Sequence, residues 1–578
     1  MHPVRVPNPR GAIARVPWRG LLAAGLAVLL AGCVTMPQPP AAVATPPDSD
    51  ADDAMLQLLA GQFALQAGDL ALAADSFSRA ATLSPDPAVA EEATRLAIAA
   101  GDWPLARSTL QHWVALAPGV PGQAQARGWI ALGEGRVADA ESDLAGLVAD
   151  ASEAGWRLVA QVLVGTGDRA VAAGLLARLA TPARLGARED TWIAASQLAF
   201  RLDDKALADR LATGARTRFS SGRAYAWSAR IALDRDDRRS ALALYAEAVD
   251  RDPGNLRLRG AYAALLAEEG DDRRAARVLA DGLQDDASFA ARAAYLARAD
   301  DSGALAALYR EIVAAPEPRT GQRLYVLGQL AEMLDKRAEA LEWYREIPGE
   351  DERGNDAWSR RVVVLDQLGR TDEALREVHG LQQDAVGEGD RLAGAYLLEA
   401  AILAGHDRIE DARQVYARGL DALPDDAMLL YARALMEVEH GDREAGLRGL
   451  RRLVELQPDD AQALNALGYT LADHARPGDP VLDEARDLVS RALEIAPGEP
   501  AIMDSMGWIH YRMGQTEAAL PLLRGAWAQQ RDAEIAAHLG EVLWVIGEHA
   551  EARRIWQEGL RVEKESKALR ETMRRFVP

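Results

Sequence analysis

Glycine returns at nearly one fixed phase along this chain. Gly68, Gly101, Gly135, Gly167, Gly270, Gly369, Gly441, Gly514 and Gly547 each follow an apolar helical run by about the same number of residues. Around each, a frame recurs at roughly 34 residues: a small residue seven positions earlier, an Ala five later, a bulky residue four beyond that, another small one, then often Pro. The first unit reads Gly61, Gly68, Ala73, Phe77, Ala80, Pro85, and a middle one Ala229, Asp236, Ala241, Tyr245, Ala248, Pro253. A later unit reads Ala400, Asp407, Ala412, Tyr416, Gly419, Pro424. Such a period predicts stacked helical hairpins, each burying its apolar face only against its neighbours.

The frame has a physical reason at every position. Two antiparallel helices of about a dozen residues need small side chains where their axes cross, and a large ring then fills the gap toward the next pair. The turn between them needs a left-handed residue, which Gly tolerates and Asp accepts more reluctantly. Asp69, Asp102, Asp168, Asp271 and Asp442 follow that Gly directly and are placed to cap the second helix. Pro85, Pro118, Pro253, Pro424, Pro458 and Pro497 then stop it. This frame resembles the tetratricopeptide repeat from about Ala54 to about Val562. The resemblance implies an all-α fold, a right-handed superhelix (α-solenoid) of about fifteen helix pairs. Their expected starts are near residues 54, 87, 121, 153, 188, 222, 256, 285, 321, 355, 393, 427, 461, 500 and 533, with poor matches near 188 and 285.

The amino terminus carries Arg5, Arg10, Arg15 and Arg19 without an acid, then the apolar run Leu21 to Ala31, too short to span a bilayer but suited to a secretory signal. Leu30-Ala31-Gly32-Cys33 resembles the lipobox of bacterial lipoproteins, which implies cleavage between Gly32 and Cys33 and a diacylglycerol on the thiol. Cys33 is the only cysteine, so no internal disulfide competes for it; the alternative is a free thiol in an uncleaved anchor. Val34 stands where Asp would favour the inner membrane, and the lipoprotein resemblance therefore implies the outer membrane, facing the periplasm. The expected divisions are a signal peptide at 1–32, a Pro/Ala/Asp-rich tether at 33–53, the repeat array at 54–562 and a capping helix and tail at 563–578. Extended at about 3.1 Å per residue, the tether reaches about 60 Å. The basic amphipathic tail has Leu569, Met573 and Phe576 on one side, which suits sealing the last pair or docking a partner.

Charge bounds the partners. The net charge is -21, or -25 once the four leader arginines are removed, which disfavours nucleic acid. Only Lys205, Lys336, Lys564 and Lys567 are lysines, so positive charge is almost all Arg, which can bond a carboxylate bidentately but mostly forms ordinary surface pairs. No phosphate-binding loop, His-Glu-x-x-His motif or nucleophile elbow is present in the sequence. The histidines, among them His112, His379, His406, His440, His474, His510, His538 and His549, lack metal-ligand spacing and read as surface or groove residues. Neither catalytic residue nor cofactor nor metal is expected.

Recognition is left. In repeats of this kind the first helix of each pair lines the concave face, which turns Asn465, Tyr469 and Asp473 inward in the unit from Ala461. The next unit contributes Asp504, Trp508, Tyr511 and Arg512, and the last Glu541 and Trp544. Rigid aromatic rings beside fixed polar groups suit a peptide groove. Trp508 and Trp544 are equally suited to packing between helices, whereas Asn465 is poor in a helix interior and has no evident core role. Lysines of the carboxylate-clamp type are absent there, which leaves Arg for any C-terminal carboxylate.

The blocks Asn465-Ala466-Leu467-Gly468-Tyr469-Thr470-Leu471-Ala472-Asp473 and Asp504-Ser505-Met506-Gly507-Trp508-Ile509-His510-Tyr511-Arg512-Met513-Gly514, in a repeat chain with a lipobox, are similar to those of large outer-membrane lipoproteins of Gram-negative bacteria that partner a carboxyl-terminal processing protease. That resemblance implies a non-enzymatic adaptor bringing the periplasmic serine protease to substrates such as peptidoglycan hydrolases, where tethering raises the effective concentration. An assembly lipoprotein for a pilus, secretion or polysaccharide-export complex is the alternative.

Overall fold

A computed structural model of the chain describes residues 53–577, apart from 150, 317 and 386. Gly32, Cys33 and nearly all of the expected tether lie outside the described residues. Every regular element among the described residues is an α-helix, and fifteen consecutive hairpins begin at Ala54, Pro87, Pro121, Glu153, Glu189, Gly222, Leu256, Asp286, Gly321, Gly354, Gly389, Ala427, Ala461, Pro500 and Ala533. We name each repeat by that first residue. The chain divides into two compact units between Ile312 and Val313. The first holds eight repeats; the second holds seven and a closing helix, Lys567–Phe576. No helix among the described residues is long and apolar enough to cross a membrane.

The turns follow the chemistry that the sequence sets out, with one correction. Gly101 is left-handed at φ 73°, as are seven of the other in-phase glycines, and Asp203, Asp236, Asp300, Asp335 and Asp407 take the same place with φ between 50° and 65°. Gly167 is the exception and has no positive φ: the helix ends instead with the Thr166 backbone extended at φ -68° and ψ 128°, so the chain turns without a left-handed residue. The following aspartates cap as expected, Asp102 accepting from the Leu105 amide at 3.0 Å and Asp442 from Ala445 at 3.0 Å. The second helices before Pro85 and Pro424 stop at Leu83 and Ala422.

Packing explains the small residues. A Cβ on Gly328 would lie 2.3 Å from the Tyr344 ring, and one on Gly540 would lie 2.0 Å from Nε1 of the fully buried Trp556. Each glycine therefore lets an aromatic of the same hairpin lie on bare backbone.

The two repeats that match the frame poorly are nonetheless hairpins, and each has a local reason for its departure. Ahead of the 189 repeat the chain inserts a short turn, Pro182–Leu185, held by Trp156 Nε1 donating to the Arg184 carbonyl at 2.9 Å and Trp192 Nε1 to Gly186 at 3.0 Å. Ahead of the 286 repeat the helix Asp272–Ala280 has only nine residues. Fully buried Arg259 donates to the carbonyls of Leu279 and Leu283 around its end, satisfying acceptors that a longer helix would have used itself.

Candidate functional site

Helices Ala461–Asp473, Pro500–Arg512 and Ala533–Val545 open the last three repeats, and the candidate residues of all three lie on them. Tyr469, Trp508 and Glu541 occupy one phase, as do Asn465 and Asp504. Stacking at the repeat period therefore sets side chains some 35 residues apart against one another.

The centre of the arrangement is a residue that was expected on the surface or in the groove. His538 is buried, and its Nδ1 lies 2.8 Å from Oδ2 of buried Asp504. The Trp508 indole stacks on the imidazole with ring centroids 4.2 Å apart and planes 18° from parallel. Burial alone would discharge His538. The Asp504 carboxylate and its hydrogen bond outweigh that, and with Glu534 and Asp473 raise the imidazole to about 9. His538 is thus an imidazolium at neutral pH, under an aromatic face that favours the charge.

Tyr469 donates its hydroxyl to Glu534 Oε1 at 2.7 Å; burial and that carboxylate push the phenol far above its ordinary range. Trp508 Nε1 donates to Asp473 Oδ1 at 3.3 Å. Arg512 donates to the main-chain carbonyls of Asp473 and Ala475, with its guanidinium 5.6 Å from the Trp508 ring centroid. Those carbonyls begin the long loop that replaces the tight turn of the 461 repeat, so Arg512 braces the loop and is already engaged.

Tyr511, Glu541 and Trp544 form a second cluster. Tyr511 donates to Glu541 Oε1 at 3.2 Å, and burial followed by that carboxylate raises its phenol to about 12. Arg575, from the closing helix, pairs with the other oxygen of buried Glu541. Trp544 stacks on His549 at 4.3 Å and on Trp556 at 5.6 Å, with Phe576 6.4 Å away. These three residues fasten Lys567–Phe576 to the last repeat.

Asn465 belongs to neither cluster. It lines a cavity of about 320 Å³ together with Tyr431, Tyr469, Asp504, Asp532 and Glu534. Its Oδ1 and the second oxygen of Asp504 are shielded from water and have no hydrogen-bond partner among the described residues. His538, Glu534 and Arg575 were not among the sequence candidates. The separation of Asp504 and His538, equal to the repeat period, was the available signal, since it sets an acid beside a base on the next hairpin.

Comparison with known proteins agrees with this architecture. A tetratricopeptide-repeat family profile matches residues 42–88, 431–500 and 505–567, the last two containing every groove candidate except Asp504, which lies just ahead of the third. The chain is 41% identical over 217 residues to the TPR repeat-containing protein PA4667 of Pseudomonas aeruginosa, covering 37% of this chain and 35% of that protein. It is 27% identical over 355 residues to the cellulose synthase operon protein C of Pseudomonas fluorescens, covering 52% and 27%. The matches thus span about a third or less of these relatives' lengths. Among solved structures, a thermophilic TPR protein of Thermus thermophilus is similar with TM-score 0.29 and 21% identity, covering 32% of this chain and 98% of that one. A chain of the Naa15/Naa10 assembly bound to HypK-THB is similar with TM-score 0.37 and 14% identity, covering 91% and 89%. Repeat period, turn chemistry, hairpin packing and matched segments converge: the chain carries tetratricopeptide repeats.

Proposed function

We propose that this chain is a lipid-anchored adaptor of the outer membrane that holds a carboxyl-terminal processing protease and its substrates, such as peptidoglycan hydrolases, together in the periplasm. Tetratricopeptide-repeat proteins bind protein partners and are generally non-catalytic scaffolds. The observation that carries the adaptor reading is a cavity beside the first helices of the last three repeats, next to which two shielded acceptors have no donor among the described residues. A buried polar group left unpaired costs about 1–3 kcal/mol, and a partner that supplies the donor recovers it. The lipobox-like Leu30-Ala31-Gly32-Cys33 supports the anchor, and the similarity of the 465–473 and 504–514 blocks to the lipoprotein LbcA supports the protease as partner.

The test is reconstitution. The purified chain is expected to bind the cognate periplasmic protease and to speed its cleavage of a wall hydrolase; neither binding nor acceleration would remove the reading. Cys33→Ser is expected to move the protein from the membrane fraction to the soluble periplasm, and unchanged fractionation would remove the anchor. A second reading, an assembly lipoprotein for polysaccharide export, draws on the similarity to the cellulose synthase operon protein C. Capture from solubilised envelope separates the two: protease and wall hydrolases for one, export subunits for the other.

A further inference from the structure

The charges that line the cavity beside Asn465 are all of one sign. Its charged lining residues are Asp504, Asp532 and Glu534, and among the described residues no Lys, Arg or His lines it. The imidazolium of His538 offsets Asp504 through Oδ2, so the surplus charge is that of Asp532 and Glu534. Asp532 holds its side chain on the amides of Glu534 and Ile535, and exposed Glu534 accepts from Tyr469, so both keep lone pairs to spare.

Two features point to a ligand independently of that acidity. Asp504 is only 5% exposed, yet its Oδ1 has no donor, and neither has Oδ1 of Asn465 among the described residues. Tyr431 and Tyr469 form aromatic wall, and Leu435, Ala466 and Ile535 add apolar surface. Unpaired acceptors, surplus negative charge, aromatic faces and apolar wall together match a cation on an alkyl stem.

We infer that this cavity takes the side chain of an arginine or lysine from a bound protein segment, with its N–H groups directed to Asn465 and Asp504 and its charge met by Glu534 and Asp532. The inference rests on the adaptor reading and adds to it the chemistry of the recognised residue. A guanidinium or ammonium brings several donors and a positive charge to a place that lacks both, whereas a carboxylate would add a third uncompensated negative charge. The volume of about 320 Å³ admits one such side chain, so the pocket reads a single basic residue within a longer contact.

The test titrates the full chain with N-acetyl-arginine amide, its neutral isostere N-acetyl-citrulline amide and N-acetyl-glutamate amide, followed by ligand-observed saturation-transfer NMR. The arginine probe is expected to bind at least about tenfold more tightly than citrulline, with affinity falling as salt is raised, and the glutamate probe not to bind. Asn465→Ala and the exposed Glu534→Gln are each expected to weaken the arginine probe about three- to tenfold while the helix content of the chain stays unchanged. Equal binding of arginine and citrulline, preference for glutamate, no binding by any probe, or indifference to both substitutions would each overturn the inference. Loss of probe binding with the protease still captured overturns the pocket alone; probe binding by a chain that captures no protease overturns the adaptor alone.

Discussion

The charged state of His538 makes the end of the array pH-dependent in a defined window. The folded imidazole stands at about 9 against an ordinary 6.5, which corresponds to roughly 3 kcal/mol favouring the charged, folded form. Because the folded value is raised, this stabilisation is fully present below about pH 6.5 and is lost as pH rises through about 9. The titratable groups facing the ring are Asp504, Glu534, Asp473 and Tyr469, and the Tyr469 phenol is raised well beyond this range, so the window is assigned to His538. In His538→Gln an amide donor to Asp504 is retained and the charge is removed. Long arrays open locally, which makes hydrogen exchange of peptides within 500–545 the suitable assay, and the ratio of wild type to variant at each pH cancels intrinsic exchange rates. Local protection is expected to exceed that of the variant by roughly a hundredfold at pH 6 and to converge toward it by pH 10. A ratio that does not change across that range would refute the assignment of charge to His538.

Three further outcomes follow from the packing. Gly540→Ala sets a methyl against the fully buried Trp556 and is expected to cost about 1–3 kcal/mol, seen as early melting of the last repeat in hydrogen exchange. Glu541→Gln removes the charge that pairs with Arg575 and is expected to free the closing helix, read as faster limited proteolysis within 563–576 with the preceding repeats intact. Asp236 bears a left-handed backbone at φ 57°, so Asp236→Gly is expected to be neutral or stabilising by up to about 1 kcal/mol in thermal unfolding, whereas Gly101→Val at φ 73° is expected to destabilise.

What was legible in the sequence was whatever the repeat fixes locally. A left-handed turn, a capping carboxylate and a small residue under a ring are decided within one hairpin, and Gly101, Asp102 and Gly61 with Phe77 could be read without coordinates. Irregular repeats were less legible because their compensations come from outside the frame: the indoles of Trp156 and Trp192 hold an inserted turn, and Arg259 completes a helix that ends early.

The candidate groove divides along the same line. First-helix phase gives Tyr469, Trp508 and Glu541 one register on their helices, yet phase cannot say which side chains neighbouring repeats will use up. Trp508 is taken by His538, Arg512 by the carbonyls of Asp473 and Ala475, and Glu541 with Trp544 by the closing helix. Each of those contacts joins residues about one repeat apart, where the partner's identity is independent of the local pattern. Among the groove candidates Asn465 stands out for the opposite reason, since no neighbour among the described residues donates to its Oδ1. Beside a cavity, an acceptor that neighbouring repeats leave unbonded is where an external donor gains most, so within the candidate groove recognition is better sought at Asn465 and Asp504 than at the tryptophans.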